Sequence, residues 1–507
     1  MDYTIFNPID LPCGRTIENR LVKAAMYEHM ANFPGGPPNE LHYGLYSEWA
    51  KHGWGMIITG NVQLSPQHLT LGRDIVVPPT LNAEDLKPFE RLAEVIHGAD
   101  DGTRPLAIMQ LSHAGRQSAN FIGGRPPFVP PLAPSSVRVG AGHTENRGRG
   151  AISDLMFYAL FQVPTEMTTL DILYVQSSFV RGALLAYKSG FDGVQLHAAH
   201  GYLLAQFMSP KVWSLCTSKK LTTITCQSNI RNDEYSVAPE NVTRMLSEIV
   251  EAIRKVVPTT FIIGIKINSA DYVTSGSAEE VAREGERRVL DHIRTIASWG
   301  TIDFIEISGG DYEKPDFMAC SGSQKLNRQA FFAQFSRTVM KDLHQSPVPF
   351  SSIPLILLTG GFRSHSYLQA ALMSKHADLL GIGRGAVLCP DLPKILLLQL
   401  QDSKSSSTWA DKPFAHEPEA VFRASKWVPS VKLIGAGVGT AWYTIRMRDI
   451  ATSQIKNPRA EPPPADYNRG GLIAVFKMWV WFDSRIAPIW VLGIFMVLIV
   501  TTEVVYH

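Results

Sequence analysis

Hydrophobic and polar positions follow two alternating patterns between residues 21 and 400. Short apolar runs bounded by glycine or polar residues are typical of buried β-strands. Between them lie longer stretches whose apolar residues recur at helical spacing, as Ile172, Val175, Phe179 and Ala183 do. The chain is therefore predicted to alternate strands and helices over most of its length.

The apolar runs predict eight strands separated by helical stretches. The strands are predicted at residues 21–25, 56–60, 106–110, 193–197, 261–266, 303–308, 354–359 and 378–383. The helices are predicted near residues 39–52, 84–97, 170–188, 239–255, 278–299, 329–343, 364–376 and 392–400. Because the runs are almost wholly apolar, we expect a parallel sheet with helices on its faces. Eight strands close a (β/α)8 TIM barrel, so the fold class is predicted as α/β. A doubly wound open sheet is the alternative, although no GxGxxG turn follows an early strand.

The barrel pattern stops near residue 400, which divides the chain into three predicted parts. Residues 1–400 are predicted to form the barrel, and residues 401–470 a C-terminal extension with linkers. The polar run DSKSSS and the proline-rich run AEPPPADY mark those linkers, and a helix is expected between them. Residues 471–507 are predicted to hold an interfacial segment and then a transmembrane helix.

The prediction of a membrane anchor rests on residues 486–502, which are uncharged and about long enough to span a bilayer. Lys477 and Arg485 precede this segment, so the barrel is expected to face the cytosol. A buried helix or a contact between subunits is the alternative. The chain begins without a basic, apolar leader, so we predict no signal peptide.

Composition excludes several kinds of partner. The net charge is +2, which gives no strong field for nucleic acid. The five cysteines are scattered with no CxxC pair, so no disulfide framework, metal site or iron–sulfur cluster is predicted. The oligomeric state is left open.

Enzymes with a TIM barrel keep their chemistry at the C-terminal ends of the strands. His197, His200 and Tyr202 come directly off the fourth predicted strand. Two imidazoles and a phenol are suited to holding a carbonyl oxygen and delivering a proton. Glycines follow the last strands, and Arg384 lies beside Gly383. Bare backbone amides and an arginine there predict a phosphate site.

Several longer motifs follow this pattern in order along the chain. They are ENRLVKAAM (18–26), QLSHAGRQ (110–117), GFDGVQLHAAHGYLLAQFMSP (190–210), NIRNDEY (229–235), IKIN (265–268), LLTGGF (357–362) and GIGR (381–384). Together they resemble the old yellow enzyme family of FMN-dependent ene-reductases and NAD(P)H dehydrogenases, over roughly residues 5–400. The resemblance implies FMN as cofactor, NAD(P)H as co-substrate and an enone-like small molecule as substrate.

The resemblance also implies roles for individual residues. His197 and His200 would donate hydrogen bonds to the substrate carbonyl, and Tyr202 would supply the proton to the α carbon. Gln110 would pair with the pyrimidine edge of the flavin, and Lys266 would place a cation near N1 and O2. The remaining candidates are Ala25, Met26 and Gly60, which would leave room for the flavin ring, Tyr27 beside it, and Gly361, Gly383 and Arg384 at the phosphate.

Three features depart from the family pattern. Tyr27 replaces the Thr or Cys that usually contacts the flavin O4. Residues 213–228 interrupt the chain after the strand-four motif, and we interpret them as an insertion loop or an unspliced intron. Ser236, Val237 and Ala238 replace Gly-Gly-Ser, which removes glycine's permissive backbone. These departures keep open an alternative, in which the chain binds flavin or acts as a scaffold with impaired or no turnover. A dienoyl-thioester reductase with an iron–sulfur cluster is disfavoured by the scattered cysteines.

Overall fold

The computed structural model describes most of the chain up to residue 479. The described residues are 5–98, 104–139, 158–208, 212–217, 220–225, 228–269, 279–308, 322–347, 349–362, 364–402, 414, 418, 432–469 and 471–479. Within these ranges the residues fold as a barrel with two further helices packed against it.

Eight parallel strands close on themselves in this structure, which confirms the predicted barrel. The strands are β1 (Leu21–Lys23), β2 (Met56–Gln63), β3 (Leu106–Ser112), β4 (Gly193–Ala198), β5 (Ile262–Asn268), β6 (Phe304–Ser308), β7 (Leu355–Thr359) and β8 (Leu379–Ile382). Each strand pairs with its neighbours in sequence, and β8 pairs back with β1 through Leu380 and Leu21. A short pair, Ile9–Asp10 with Thr16–Ile17, precedes β1.

Helices cover the outside of the barrel close to the predicted positions. They are α1 (Glu40–Ala50), α2 (Ala83–His97), α3 (Thr169–Lys188), α4 (Leu203–Met208), α5 (Arg244–Arg254), α6 (Glu279–Ser298), α7 (Gly322–His344), α8 (His365–Met373), α9 (Arg384–Leu388) and α10 (Leu392–Asp402). Helix α5 begins five residues later than its predicted start at residue 239, because Ala238 and Asn241 form turns before it. Helix α7 begins seven residues earlier than its predicted start at residue 329.

An apolar layer fills the inside of the barrel near the start of the strands. Seven of the eight strands contribute a buried side chain to it, and β4 contributes Gly193 instead. The contributing residues are Val22, Met56, Ile58, Ile108, Ile262, Phe304, Leu357 and Leu379. A side chain on Gly193 would collide with the carbonyl of Ile262, at 2.3 Å from its Cβ, so only glycine allows these strands to approach. Side chains two residues further along each strand therefore point into the upper half of the barrel.

Aspartates close three strand pairs at the N-terminal end of the barrel. Each aspartate immediately precedes a strand, and its amide donates to a carbonyl of the neighbouring strand at 2.9 Å. Its carboxylate then accepts the amide of that same neighbouring residue. We call these pairs the aspartate clasps: Asp192 with Ala107 (2.8 Å), Asp303 with Ile263 (2.7 Å) and Asp378 with Ile356 (2.9 Å). They satisfy strand-end amides that the apolar core would otherwise leave unpaired.

Two helices beyond the barrel, α11 (Lys432–Lys456) and α12 (Gly471–Trp479), belong to the C-terminal extension. Helix α11 lies so close to α1 that a Cβ on Gly44 would come within 2.6 Å of the Ala451 carbonyl. The indole of Trp479 meets the imidazole of His29 edge to face, with ring centroids 5.3 Å apart. The extension thus packs back on the barrel, as the sequence predicts.

The segment after the strand-four motif carries regular structure, although it interrupts the family pattern in the sequence. Residues Val212–Thr217 and Lys220–Thr225 form an antiparallel hairpin with Val212 opposite Thr225. The run LTTIT is rich in β-branched residues, which favour strands over irregular loops.

The altered loop at Ser236, Val237 and Ala238 adopts no left-handed backbone conformation, because none of these residues has a positive φ. Glycine is therefore not required there for conformational reasons. Among the described residues, no helix is long and apolar enough to cross a bilayer. The predicted anchor at residues 486–502 lies outside the described residues.

Candidate active site

A polar layer lies directly above the apolar layer inside the barrel. Its residues follow the interior apolar positions at intervals of two, as Gln110 follows Ile108 and Lys266 follows Gly264 and Ile262. Side chains alternate between the two faces of a strand, so these polar groups share the barrel interior. The members that matter for chemistry lie in the middle or the C-terminal half of their strands: Gln110, Gln195, His197, Lys266, Glu306 and Thr359.

Gln110 has a buried side-chain amide whose oxygen can still accept a hydrogen bond. Its Nε2 donates to Asn61 Oδ1 at 2.6 Å, and its main-chain amide donates to Thr59 Oγ1 at 3.0 Å. Its Oε1 is buried, and none of the described residues donates a hydrogen bond to it. A buried acceptor without a donor costs about 1–3 kcal/mol, so the site is incomplete until a donor arrives. A heterocycle that offers an N–H at its edge would supply that donor.

Lys266 lies in the middle of the polar layer, where β5 is flanked by β4 and β6. It is in register with His197 on one side and with Glu306 on the other. Its Nζ lies 2.9 Å from Glu306 Oε1, and both side chains are buried. Gln195 Nε2 donates to the second oxygen of Glu306 at 2.7 Å. The predicted cation is therefore present, but a carboxylate lies against it.

His197, which lies within β4, and His200, which follows it, contact each other. His197 Nε2 lies 3.0 Å from His200 Nδ1, and His200 Nε2 lies 3.1 Å from Ser308 Oγ. His197 Nδ1 is buried and has no hydrogen-bond partner. Burial, reinforced by the positive charge of Lys266, holds the pKa of both imidazoles well below the ordinary value. Both rings are therefore neutral at physiological pH, and each has one N–H to donate.

Tyr202 lies beside this pair. Its ring is fully buried and meets the His197 ring at a centroid distance of 4.7 Å and an angle of 65°. The turn before it is held because Gln206 Nε2 donates to the Gly201 carbonyl at 2.8 Å. His200 has a φ of 58°, a conformation that only a tight turn imposes on a residue with a side chain. The strained turn places His200 and Tyr202 on the same side as His197.

The Tyr27 hydroxyl contacts two polar side chains, His29 and Asp74. It lies 3.3 Å from His29 Nδ1 and 3.4 Å from Asp74 Oδ2. Burial raises the pKa of Asp74 to about 6, although hydrogen bonds from Thr70, Gln63 and Leu71 oppose this shift. The structure thus shows what holds the phenol that replaces the usual Thr or Cys.

Met26 follows β1, and Gly60 lies within β2, between Ile58 and Asn61 where the pairing with β3 shifts register. A Cβ on Gly60 would come within 2.5 Å of the Met26 carbonyl and 2.8 Å of the Glu28 carboxyl carbon. Gly60 is therefore needed for contact with the chain after β1, whether or not a ring lies above it. A Cβ on Gly383 would lie 3.1 Å from Met26 Sδ, so the late loop and the Met26 side chain are neighbours. Ala25 precedes Met26 and is half-buried.

The predicted phosphate site lies at the ends of β7 and β8. Gly361 has a φ of 74°, which leaves its backbone in a conformation suited to glycine. Gly383 precedes the short helix α9, and Arg384 is its first residue. Thr359 Oγ1 is buried and has no hydrogen-bond partner. The donor set at these strand ends is compatible with an anionic group.

Three predicted positions fit FMN on chemical grounds. Gln110 offers a free acceptor inside the polar layer, Lys266 offers a cation on the same face, and glycines with an arginine follow the last two strands. Gln195 and Glu306 complete the polar layer and were not among the predicted site residues. Their signal is a polar residue inside an otherwise apolar run, GVQL and FIEI. A polar residue in the middle of a buried parallel strand is unusual and favours a functional role.

A cavity of about 360 Å³ lies at the opposite end of the barrel, with Arg15, Arg104 and Asp192 among its lining residues. Arg15 already pairs with Asp192 at 2.5 Å, and Arg104 Nη2 lies 3.1 Å from His97 Nδ1. Its polar groups satisfy one another, so we place the chemistry at the polar layer instead.

The chain is similar in sequence to known flavin oxidoreductases. Residues 4–403 match the NADH:flavin oxidoreductase / NADH oxidase family. The NADH-dependent flavin oxidoreductase iccE of Talaromyces variabilis is 32% identical over 469 residues, which cover 89% of this chain and 99% of that protein. The NADH-dependent flavin oxidoreductase iliE of Neonectria sp. (strain DH2) is 36% identical, with 77% of this chain matched. The match spans about half of that relative, at 46% of its length.

Solved structures share the fold. The old yellow enzyme homologue from Zymomonas mobilis superimposes with a TM-score of 0.57 and 22% identity, over 78% of this chain and 93% of its own. Morphinone reductase superimposes with a TM-score of 0.56 and 18% identity, over 82% of this chain and 92% of its own. Both support the closed barrel.

Proposed function

The chain belongs to the NADH:flavin oxidoreductase / NADH oxidase family, and on that premise we propose that it reduces an activated C=C bond in an enone-like small molecule. It is an FMN-dependent oxidoreductase of the old yellow enzyme type that uses NAD(P)H. The observation that carries the proposal is the pair of neutral, buried imidazoles beside a phenol, on the same barrel face as Gln110 and Lys266.

The polar layer is proposed to hold the cofactor. Gln110 would bind the pyrimidine edge through its free Oε1, and Lys266 would face N1 and O2. Gly361, Gly383 and Arg384 would bind the phosphate, and Ala25, Met26, Tyr27 and Gly60 would border the ring. When bound, FMN supplies a hydride that it has taken from NAD(P)H.

His197 and His200 are proposed to hold the substrate carbonyl oxygen. Each neutral imidazole has one N–H, and in the structure these two rings bond to each other and to Ser308. A carbonyl oxygen would replace the contact between the two rings, so that their N–H groups polarise the conjugated bond. Because both pKa values are held low by burial, the rings donate hydrogen bonds and do not act as acids at neutral pH.

Tyr202 is proposed as the proton donor. It lies against His197, so a substrate held by the imidazoles would present its α carbon to the phenol. The balance of the reaction is then one hydride to the β carbon and one proton from the Tyr202 hydroxyl to the α carbon. The phenol regains its proton from water in each cycle.

A visible spectrum of the purified protein tests the proposal. We expect a flavin spectrum that NADH bleaches under anaerobic conditions and that an added enone restores. NADPH is tested in parallel, because relatives of both cofactor types occur. Bleaching without reoxidation by a panel of enones would contradict the proposed substrate class.

A flavin-binding protein without turnover is the second candidate. The bulky Tyr27, whose hydroxyl lies 3.3 Å from His29 Nδ1, favours it, because it stands where the family usually has Thr or Cys beside the flavin. Bound flavin that neither NADH nor NADPH bleaches would support this candidate. Absence of flavin from protein reconstituted with FMN would contradict both.

We also propose that residues 486–502 anchor the chain in a membrane with the barrel on the cytosolic side, and that the chain divides at residues 400 and 470. The support is the uncharged run in the sequence. Carbonate extraction of membranes from cells that express the full chain tests the anchor. Release of the protein into the supernatant would contradict it.

A further inference from the structure

Glu306 is the carboxylate inside the polar layer. It is fully buried, and its two oxygens contact two different side chains. Oε1 lies 2.9 Å from Lys266 Nζ, and Oε2 accepts from Gln195 Nε2 at 2.7 Å. Lys266 and Gln195 thus each hold one oxygen of this carboxylate inside the barrel.

Strand register explains how this contact forms. Lys266 and Glu306 are directly opposite each other on β5 and β6, so their side chains leave the sheet side by side. Gln195 is opposite Gly264, which has no side chain to block its path across β5. Glu306 is therefore reached by Lys266 from the neighbouring strand β5 and by Gln195 from β4, across β5.

Stability alone does not account for this ion pair. Removing two charges from water costs about as much as their attraction returns, and well-packed apolar residues often replace a buried pair without loss. The layer below is filled with such residues, including Phe304 two positions before Glu306. Glu306 instead lies against the cation proposed to face the cofactor, which points to a role in the reaction.

We infer that Glu306 positions Lys266 and weakens its electrostatic pull on bound FMN. Reduction adds negative charge to the flavin near the cation. A carboxylate at 2.9 Å cancels much of the stabilisation that Lys266 alone would give. The effect is a lower reduction potential, so that the reduced cofactor is a stronger hydride donor. This inference rests on the proposed function only in that FMN binds beside Lys266.

A redox titration of Glu306→Gln tests the inference. The substitution keeps the shape and removes the charge, so reduced FMN should bind about tenfold more tightly relative to oxidised FMN. For a two-electron couple this corresponds to an increase of about 30 mV in potential. Dye-equilibrated titration with dithionite measures the potential without NADH or substrate. An unchanged potential would overturn the inference.

A control on the outer helices separates the charge beside Lys266 from a general effect of removing a carboxylate. Glu248→Gln removes a carboxylate that also accepts from a glutamine, Gln176 Nε2 at 2.6 Å, but on the outer helices. It should leave the potential unchanged. Equal shifts in Glu306→Gln and Glu248→Gln would show a general effect and overturn the inference.

If Glu306→Gln does not fold, Glu306→Asp provides the measurement. It withdraws the carboxylate from Lys266 by one methylene, so the potential should rise by a smaller amount. No rise in that variant would overturn the inference. Failure of the proposed function is distinguishable, because it would appear as FMN that titrates normally with dithionite but does not turn over with NAD(P)H and an enone.

Discussion

The two ends of the barrel are built from the same strands but satisfy their polar groups in different ways. At the N-terminal end, the aspartate clasps pair each carboxylate with backbone amides, and Arg254 adds a contact of 2.8 Å to Asp303. At the C-terminal end, the polar side chains contact one another, and buried atoms such as Gln110 Oε1 and His197 Nδ1 have no partner. Completed hydrogen bonding indicates a structural role, and incomplete hydrogen bonding indicates a place for a ligand.

This contrast predicts that substitutions at the C-terminal end change activity, whereas those at the N-terminal end change stability. The same type of residue serves both purposes. Asp303, just before β6, holds strands together, but Glu306, three residues later within β6, lies against the cation proposed to face the cofactor. Position along the strand decides the role of the carboxylate, since the two ends face different surroundings.

The largest expected effect is on activity at the C-terminal end. Tyr202→Phe removes only the hydroxyl, and we expect turnover with an enone to fall about 10²- to 10⁴-fold because the proton donor is lost. The thermal midpoint should change little, and bleaching by NADH should continue. Stopped-flow measurement of the two half-reactions checks this. Loss of the first half-reaction alone would contradict the assignment of Tyr202.

The next largest effect is on stability at the N-terminal end. Asp303→Ala leaves the amide of Ile263 and the guanidinium of Arg254 without their carboxylate, and we expect a loss of about 3–5 kcal/mol in the free energy of unfolding. Urea unfolding measures the loss. Turnover per bound FMN should be unchanged, and Asp303→Asn should lose less. If Asp303→Ala were as stable as the parent protein, the structural role assigned to the N-terminal end of the barrel would be contradicted.

A smaller effect is expected at Gln110, where a substitution should lower the affinity for FMN without lowering the stability of the FMN-free protein. Gln110→Leu removes the unpaired acceptor, so the protein without FMN should unfold no more easily, although Asn61 loses one contact. Affinity for FMN should fall about 10- to 100-fold, because one or two hydrogen bonds to the cofactor are lost. Fluorescence titration with FMN measures the affinity, and thermal melting of the FMN-free protein measures the stability. A loss of stability without loss of affinity would indicate a structural residue.

The smallest effect is a pH dependence at Asp192. Burial would raise its pKa, but hydrogen bonds from His97 and Ala107 and the charges of His97 and Arg15 lower it below the ordinary value of 3.8. A carboxylate with a lowered pKa contributes stability above pH 3.8, and the contribution is lost as the pH falls through the lower folded pKa. Asp192→Asn should therefore cost about 1 kcal/mol at pH 7 and less at pH 3. Urea unfolding at both pH values measures the difference, and an equal cost would contradict it.

Sequence patterns were sufficient for the barrel because its signals are local. Each strand is a nearly continuous apolar run, and eight of them leave few other arrangements. The histidines and Tyr202 were also accessible, since they follow a strand directly. The clasps were not, because Asp303 and Asp378 were predicted as strand residues. Their role becomes visible only when the neighbouring strand is in register.

Glu306 shows why part of the candidate site was beyond prediction. Its contact with Lys266 joins residues 40 positions apart, and its contact with Gln195 joins residues 111 apart. Neither spacing has a local signature. The hairpin at residues 212–225 was missed for the opposite reason, because its β-branched run was given less weight than its departure from the family pattern.

The close packing of α11 on α1 has a practical consequence for producing the protein. Gly44 and Ala451 allow the two helices to touch, and α12 brings Trp479 onto His29. A shortened chain that ends at the barrel would expose to solvent the α1 surface that α11 covers, and such an exposed surface favours aggregation. A chain cut just after Trp479 would keep that surface covered and omit the apolar run, and is the form we would choose for crystallisation.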